Sequence, residues 1–430
     1  MATVVPGNQF HVERGARRVL LVNPPVYDLR LDWARWQQPC GLLRLGATLK
    51  EHGADVRLLD FLVEGGTGSG RMTRRQVSTF QIEGSELTWW CYGLPWAEVT
   101  RRSRQWRTGG WQPDEVWVTT LTSFWWRGAQ EVIRRVKYDW WPHARVLLGG
   151  VYPTLYPEHA AANTEADIIV SGPVSNINPA GDLTLYDPPP SCAGICLYGG
   201  QSVKSVVDEI AQKARLGVRE FAFFDEEIPG ADPMRFDYVL QCIEQRNLKM
   251  RLIILGNLRA NDVTMSRANW LHAAGLSEAY LRWDPALNGD MLPYVQAAQM
   301  LETFAGFKPR DGSLSAIVHV GWPGENLEDT ARHLIYLSHA VGSVTVFPYQ
   351  PTPDEAQRLG ISEPDRANGK LFPFAAANGL HFSDYADLLR LAATLNSKYR
   401  DVTFDFLGDD LIARMVRTSI RRRMWQPTGM

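Results

Sequence analysis

Two thiols pose the first chemical question. In the stretch SCAGICLYGG (residues 191–200), Cys192 and Cys196 are spaced C-x3-C, and the next ligand-like position, three residues on, is Gly199. Closely spaced thiolates are the usual donors to iron–sulfur clusters and soft metals. Glycine has no side chain to contribute. The run Cys192–Tyr198 also reads as a short apolar strand, in which residues 192, 194, 196 and 198 share one face. In that setting the two thiols act as small apolar fillers, and only GGQS is left to connect the strand to the following helix. Cys40, Cys91 and Cys242 are scattered along the chain and could supply a remote ligand.

A second set of candidates lies where apolar runs end. RVLLVN (18–23) runs into Asn23, Pro24, Pro25, Val26 and Tyr27, and EVWVTTL (115–121) leads to Thr120, Thr122 and Ser123. RVLLGG (145–150) ends in Gly149, Gly150, Val151 and Tyr152, and DIIVSG (167–172) in Ser171, Gly172 and Pro173. Small, hydroxylic and proline-bearing ends on several strands at once suit backbone-level contact with a large ligand, and they equally suit ordinary turns. No G-x-G-x-x-G follows the first strand, so a dinucleotide is not indicated.

These positions need a scaffold. Up to residue 175 the run RVLLVN, DVRLLDF (55–61) and the three later runs alternate with amphipathic stretches such as GLLRLGATLKEHG, where Leu42, Leu45 and Leu49 share a face. That pattern indicates a parallel sheet covered on both sides, flavodoxin-like or Rossmann-like, with its ligand beyond the carboxyl ends of the strands. The segment 62–113 breaks the alternation with a Gly-rich start and many of the chain's 16 tryptophans. It reads as an insertion that caps or lines a site, or as an aromatic patch packed on the sheet. A stretch rich in Pro, Asn, Asp and Gly follows, giving a linker at 176–190.

From residue 191 to 355 six further strand–helix units fit in about 160 residues, which suggests a complete or partial parallel barrel. Acidic and polar residues fall at its expected strand ends. Asp225 and Glu226 follow the second strand, Arg282 and Asp284 mark the fourth, and His319 lies in the fifth. Glu226 and Asp225 are candidate acid–base groups, Tyr27 and His319 further catalytic candidates, each with a structural alternative as a salt-bridged or packed side chain. Residues 356–430 read as a helical extension.

RVLLVNPPVYD, PCGLLRLGA, HARVLLGGVYPTLYPEHA and ADIIVSGP together resemble the cobalamin-binding domain that precedes many radical S-adenosylmethionine (SAM) barrels. SVKSVVDEIAQKARLGVREFAFFDEEI, IVHVGWPGENLEDTARHLIYL and VTVFPYQPTP resemble pieces of that barrel, in the same order. The resemblance implies a flavodoxin/Rossmann-like cobalamin domain followed by a partial (β/α)6 barrel. It implies cobalamin against Asn23–Val26, Thr120, Thr122, Ser123, Gly149–Tyr152 and Ser171–Pro173, and SAM or substrate against Arg282 and Asp284. The family's C-x3-C-x2-C loop is degenerate here, so no metal ligands are assigned and the [4Fe–4S] cluster is expected to be absent. The implied function is a cobalamin-dependent enzyme, methyltransferase-like, acting on a small organic substrate. Alternatives are a catalytically silent cobalamin sensor or partner subunit, and a true radical SAM enzyme with an unusual third cluster ligand.

Composition excludes other classes. A 45% hydrophobic and 21% charged chain of 430 residues is that of a globular protein with a full core. A net charge of −2 gives no reason to expect nucleic acid as a partner. No apolar run approaches the roughly 18 residues of a membrane span. Five cysteines, an odd number, argue for a reducing, cytoplasmic setting. A protein partner or homo-oligomer remains open.

Overall fold

The computed structural model describes residues 2–29, 38–62, 73–82, 85–198, 200–230, 232–283, 292–306, 313–320, 325–341 and 343–349, with short stretches between 358 and 396. It is a mixed α/β chain built on two six-stranded parallel sheets and a small antiparallel one. Most of the expected C-terminal extension lies outside the described residues. No helix among the described residues is long and apolar enough to cross a membrane.

The first sheet contains β1 (Thr3–Pro6), β2 (Arg18–Asn23), β4 (Asp55–Asp60), β7 (Glu115–Val118), β8 (Arg145–Leu148) and β9 (Ile168–Ser171). Its order is β1-β9-β8-β7-β2-β4, all parallel. Without the edge strand β1 this is the flavodoxin order, with its switch point between β2 and β7. Period-two alternation sends Leu20 and Val22 to one core and Val19 and Leu21 to the other. Helix α1 (Cys40–Glu51) covers the second face, while α2 (Trp96–Thr108), α3 (Trp126–Arg135), α4 (Val151–Leu155) and α5 (Pro157–Asn163) cover the first.

The segment read as one insertion divides in two. β5 (Arg74–Ile82) and β6 (Ser85–Tyr92) form a hairpin that pairs antiparallel with β3 (Val26–Asp28), directly beyond the end of β2. The rest is α2, the ordinary crossover helix of the sheet, which buries Val99 beside Val132 and Ile133 of α3. Its tryptophans mainly build this outer layer: Trp106 stacks on Trp141 at 6.2 Å, and Arg135 sits 4.4 Å over Trp96.

The second sheet runs β10 (Cys192–Ile195), β11 (Glu220–Phe223), β12 (Arg251–Arg259), β13 (Leu276–Trp283), β14 (Leu314–Val320) and β15 (Ser343–Pro348). Every strand is parallel to, and beside, its neighbour in sequence. Helices α6 (Val203–Arg215), α7 (Pro233–Gln245), α8 (Met265–Ala273), α9 (Leu292–Ala305) and α10 (Leu327–Ala340) alternate with the strands and share one continuous core with them. Ser202, Asp232, Thr264 and Asn326 cap α6, α7, α8 and α10 through their side chains. A smaller cluster of Ala222, Ile253, Cys192, Phe224, Leu255 and Tyr280 fills the opposite face.

Both open edges of this sheet are met by a carboxamide. Gln38 Nε2 donates to the Cys192 carbonyl at 2.6 Å and its Oε1 accepts from Gly194 N–H at 3.0 Å. On the far edge Asn396 Oδ1 accepts from Val344 N–H and its Nδ2 donates to the Val344 carbonyl, both at 2.8 Å. Each side chain supplies the donor and acceptor that a further strand would have offered.

Candidate functional site

The carboxyl ends of the first sheet split into a packed half and an open half. At the end of β2, Asn23, Pro24, Pro25, Val26 and Tyr27 are all buried. Asn23 Nδ2 donates to Asp60 Oδ1 at 2.8 Å, and Asp60 Oδ2 accepts from the Tyr186 hydroxyl at 2.7 Å. Tyr27 donates to Glu131, and burial, then that bond, push its phenol well above the usual range. The N-terminal turn of α3 presses on the same turn so closely that a Cβ at Gly128 would lie 1.8 Å from the Pro25 carbonyl oxygen. Val26, Leu62, Tyr92, Phe124, Trp125 and Ala367 close over it as one apolar cluster.

Beyond β7 and β8 the loops lock together: Thr120 Oγ1 accepts from Tyr152 N–H and Thr120 O from Val151 N–H, each at 2.9 Å. Tyr152 is buried, its hydroxyl 2.6 Å from His159 Nδ1, and burial raises its pKa. Ser123 is buried as well. Gly150 and Val151 are exposed, and Gly149, Ser171 and Gly172 are partly so, forming a ledge with Pro173 at the β8 and β9 ends. Gly150 needs its positive φ of 96° there, because a Cβ would stand 2.4 Å from Thr120 O.

At the second sheet the carboxyl ends are mostly tied into the scaffold. β10 ends at Ile195, three residues before the expected strand end at Tyr198, so the loop runs from 196 to 202 and is longer than GGQS. Asp225 holds it by accepting from Leu197 N–H (2.6 Å) and Tyr198 N–H (3.0 Å). The Arg235 guanidinium donates to Leu197 O at 2.7 Å and to Gln201 O. Asp225 is therefore a structural staple. Glu226 is exposed, whereas Glu227 pairs with Arg259 at 2.7 Å. A bulge at Gly256 aims Asn257 Nδ2 at Phe223 O (2.8 Å) and Asp225 O (2.9 Å). His319 is half-buried with its ring edge-on to Phe347 at 6.4 Å, and Arg282 is half-buried on β13. Asp284 lies outside the described residues.

Two elements join the sheets. The turn Pro364–Ala367, with the residues on either side, crosses the end of the first sheet. Asp365 takes a bidentate pair from Arg127 at 2.6 and 2.7 Å and a bond from Trp126 Nε1 at 3.0 Å. Glu363 approaches His159 at 3.6 Å, and Asn368 Nδ2 donates to the buried Asp28 carboxylate, which also accepts from Trp125 Nε1. One residue on, a Cβ at Gly369 would lie 2.4 Å from the Tyr349 carbonyl just past β15. The second junction is the start of α1. Gln38 grips β10, Leu43 enters the core of the second sheet, and the linker passes over α1 through a Lys50–Asp182 pair at 2.8 Å.

At this junction Cys40 and Cys196 influence each other's ionisation. The Cys40 thiol, with Arg44 nearby, holds Cys196 below the ordinary thiol range against its burial. Its interaction with Cys196 and its burial push Cys40 well up. Cys192 faces Phe224, Leu255 and Tyr280 instead, with Gln38 Nε2 3.8 Å from its sulfur. Beneath them a buried pair, Lys213 to Glu209 at 2.5 Å, is satisfied by Gly194 O and Gln201. Among the described residues no group of three or more Cys, His, Asp or Glu is placed to hold a metal.

Of the strand ends expected to hold a corrinoid, one half is open. Thr122 Oγ1 is buried without a hydrogen-bond partner, an orphan that a ligand's polar rim would satisfy, and the Gly149–Val151 and Ser171–Pro173 ledge is open beside it. The β2 half offers no room. Asn23–Val26 and Tyr152, expected against the cofactor, are packed among the protein's own side chains. Sequence reasoning missed Gln38, Asp28, Asp365 and Asn368, whose partners lie up to 340 positions away. Only the oddity of a buried Asp28 in an apolar run could have drawn notice.

No family model matches the sequence, and no curated protein matches it. Among solved structures the chain is similar to the apo, selenomethionine-labelled cobalamin-dependent S-adenosylmethionine radical enzyme OxsB. The identity is 13%, the TM-score 0.45, and the match covers 92% of this chain but 62% of that one. It is also similar to the catalytic domain of starch synthase IV from Arabidopsis thaliana bound to ADP and acarbose, at 10% identity and a TM-score of 0.22, covering 94% of this chain and 100% of that one.

Proposed function

We propose that the protein is a cobalamin-dependent enzyme with a radical-SAM-like second half that works without a [4Fe–4S] cluster. It acts on a small organic substrate by methyl transfer or other cobalt-centred chemistry. The observation that carries this reading is the joining, in one chain, of a flavodoxin-order sheet to a singly wound six-stranded parallel sheet, with residues 363–369 reaching from the carboxyl ends of one to those of the other. Ligands of such sheets sit beyond those ends. The sequence resemblance supports the same pairing of halves.

Within this reading Thr122, Gly149, Gly150, Val151, Ser171 and Gly172 hold the cofactor's rim. When bound, cobalamin supplies a cobalt that acts as nucleophile or methyl carrier, and the protein's part is orientation and exclusion of water. The loop 196–202 commits its Leu197 and Gln201 carbonyls to Arg235 and its Leu197 and Tyr198 N–H groups to Asp225, which supports a role in shape rather than in cluster binding.

Anaerobic purification and reconstitution with iron, sulfide, cobalamin and SAM tests the reading through visible spectra and an iron assay. Bound corrinoid without iron is expected. A near-stoichiometric [4Fe–4S] centre establishes the radical SAM alternative instead, and absence of corrinoid removes the central claim. Thr122→Val weakens corrinoid binding by about tenfold, the loss of one net hydrogen bond, as read by spectral titration.

A further inference from the structure

We infer that a groove on the outer side of α2 binds a small ligand carrying two or more linked phosphate groups, such as pyrophosphate or a triphosphate chain. The site is independent of the proposed cofactor and shares no residue with the ledge at the β8 and β9 ends.

The groove has a volume of about 810 Å³ and is bounded by α2 and the end of α3. Arg101 and Arg104 of α2 and Arg135, the last residue of α3, line it, together with Trp96, Thr100 and Gln105. Among the described residues no carboxylate lines it. Arg101, Arg104 and Gln105 are three and four residues apart, so they share one helix face. The opposite face of α2 seats the helix through Val99 and Ser103, and the core has no need of the arginines. This helix carries four arginines against one carboxylate, Glu98, in a chain whose net charge is −2. The positive charge is therefore local.

Two of the three lining guanidiniums are held in place by the protein itself. Arg101 donates from Nε and Nη2 to Glu98 at 2.9 and 2.7 Å, which leaves Nη1 for a ligand. Arg135 donates from Nε and Nη2 to Glu131 at 3.2 and 2.9 Å and lies 4.4 Å over the Trp96 ring. Its Nη1 reaches Asp139 only at 3.9 Å. Arg75 also lies over Trp96, at 5.7 Å, so the indole positions cations rather than stacking a ligand's ring. Arg104 is exposed and has no carboxylate partner among the described residues. Guanidinium forks match phosphate oxygens bidentately and stay charged at any working pH. Two or three linked phosphates suit three such forks in a groove of this size better than one small anion does.

Calorimetric titration of the full chain with orthophosphate, pyrophosphate and tripolyphosphate at low ionic strength tests the site. Saturable one-to-one binding is expected, tightening along that series. Arg104→Ala weakens tripolyphosphate binding by about tenfold, the loss of one charged hydrogen-bonding group, and Arg104→Lys restores part of it. Arg104 is exposed, and circular dichroism is expected to show both variants folded. Arg107→Ala, on the same helix but outside the groove, changes the affinity by less than about twofold. An equal loss in Arg107→Ala shows diffuse surface charge and overturns the inference. So does the absence of saturable binding, tighter binding of citrate than of tripolyphosphate, or tighter binding of a short single-stranded oligonucleotide.

Discussion

His333 shows how one side chain sets a pH response. It lies half-buried on α10 with its ring 4.6 Å from Trp283, and its Nδ1 is buried without a hydrogen-bond partner. Burial lowers its pKa, with Arg332 acting in the same sense and Asp329 against it. The folded state therefore prefers neutral imidazole. Its contribution is complete above the unfolded value, about 6.5, and is lost as pH falls below that toward the folded value. The urea midpoint of the native protein is expected to drop as pH falls below about 6.5, and that of His333→Phe to drop less. Equal slopes would remove His333 as the titrating group. Asp28 is also buried, and its carboxyl group accepts hydrogen bonds from Trp125, Asn368 and the Leu29 N–H.

Among elements, the contact of α3 with the β2–β3 turn is the tightest that bears on the site. Gly128→Ala places a methyl 1.8 Å from the Pro25 carbonyl, which is backbone and cannot swing away. A loss of about 2 kcal/mol or more is expected in urea unfolding. Gly46→Ala in α1 is the control. Its Cβ meets the tips of Leu185 and Leu21 at 2.5 and 3.0 Å, which can move, and the gain in helix propensity offsets much of that strain. The expected net change is under about 1 kcal/mol.

The same scale shows what was legible in the sequence. RVLLVN and LSAIVHV coincide with β2 and β14 because central parallel strands are apolar on both faces. β1 escaped notice, being a four-residue edge strand with little buried surface. α2 escaped because its surface face carries Arg101, Arg104 and Arg107 among tryptophans. The turn at 364–367 is held by Arg127, some 238 positions away, and no local pattern encodes such a contact. Of the site, the strand ends were legible. Which of them stay open was not, since that depends on how α3, the β5–β6 hairpin and Ala367 pack over β2.

At the scale of the whole molecule the two halves are joined by traffic in both directions. Leu43 of α1 enters the second core, Tyr186 of the linker bonds Asp60 of the first sheet, and Asn368 returns to Asp28. Gln38→Ala is expected to strip the edge of β10, removing the bonds that Gln38 makes to the Cys192 carbonyl and the Gly194 N–H. That destabilises the fold by roughly 1–3 kcal/mol and exposes a strand edge that pairs with another copy. Sedimentation velocity reads the second effect as new dimers and larger species. A monomer unchanged across concentrations would show that the edge is guarded by something other than Gln38.

The two carboxamide caps also bear on modularity. Gln38 precedes the second sheet by more than 150 residues of chain and Asn396 follows β15 by nearly fifty, yet each completes one rim of it. The segment 191–355, cut at the borders of its own strands, would carry two raw rims and neither cap. The second half thus draws on chain outside 191–355 to complete both of its rims.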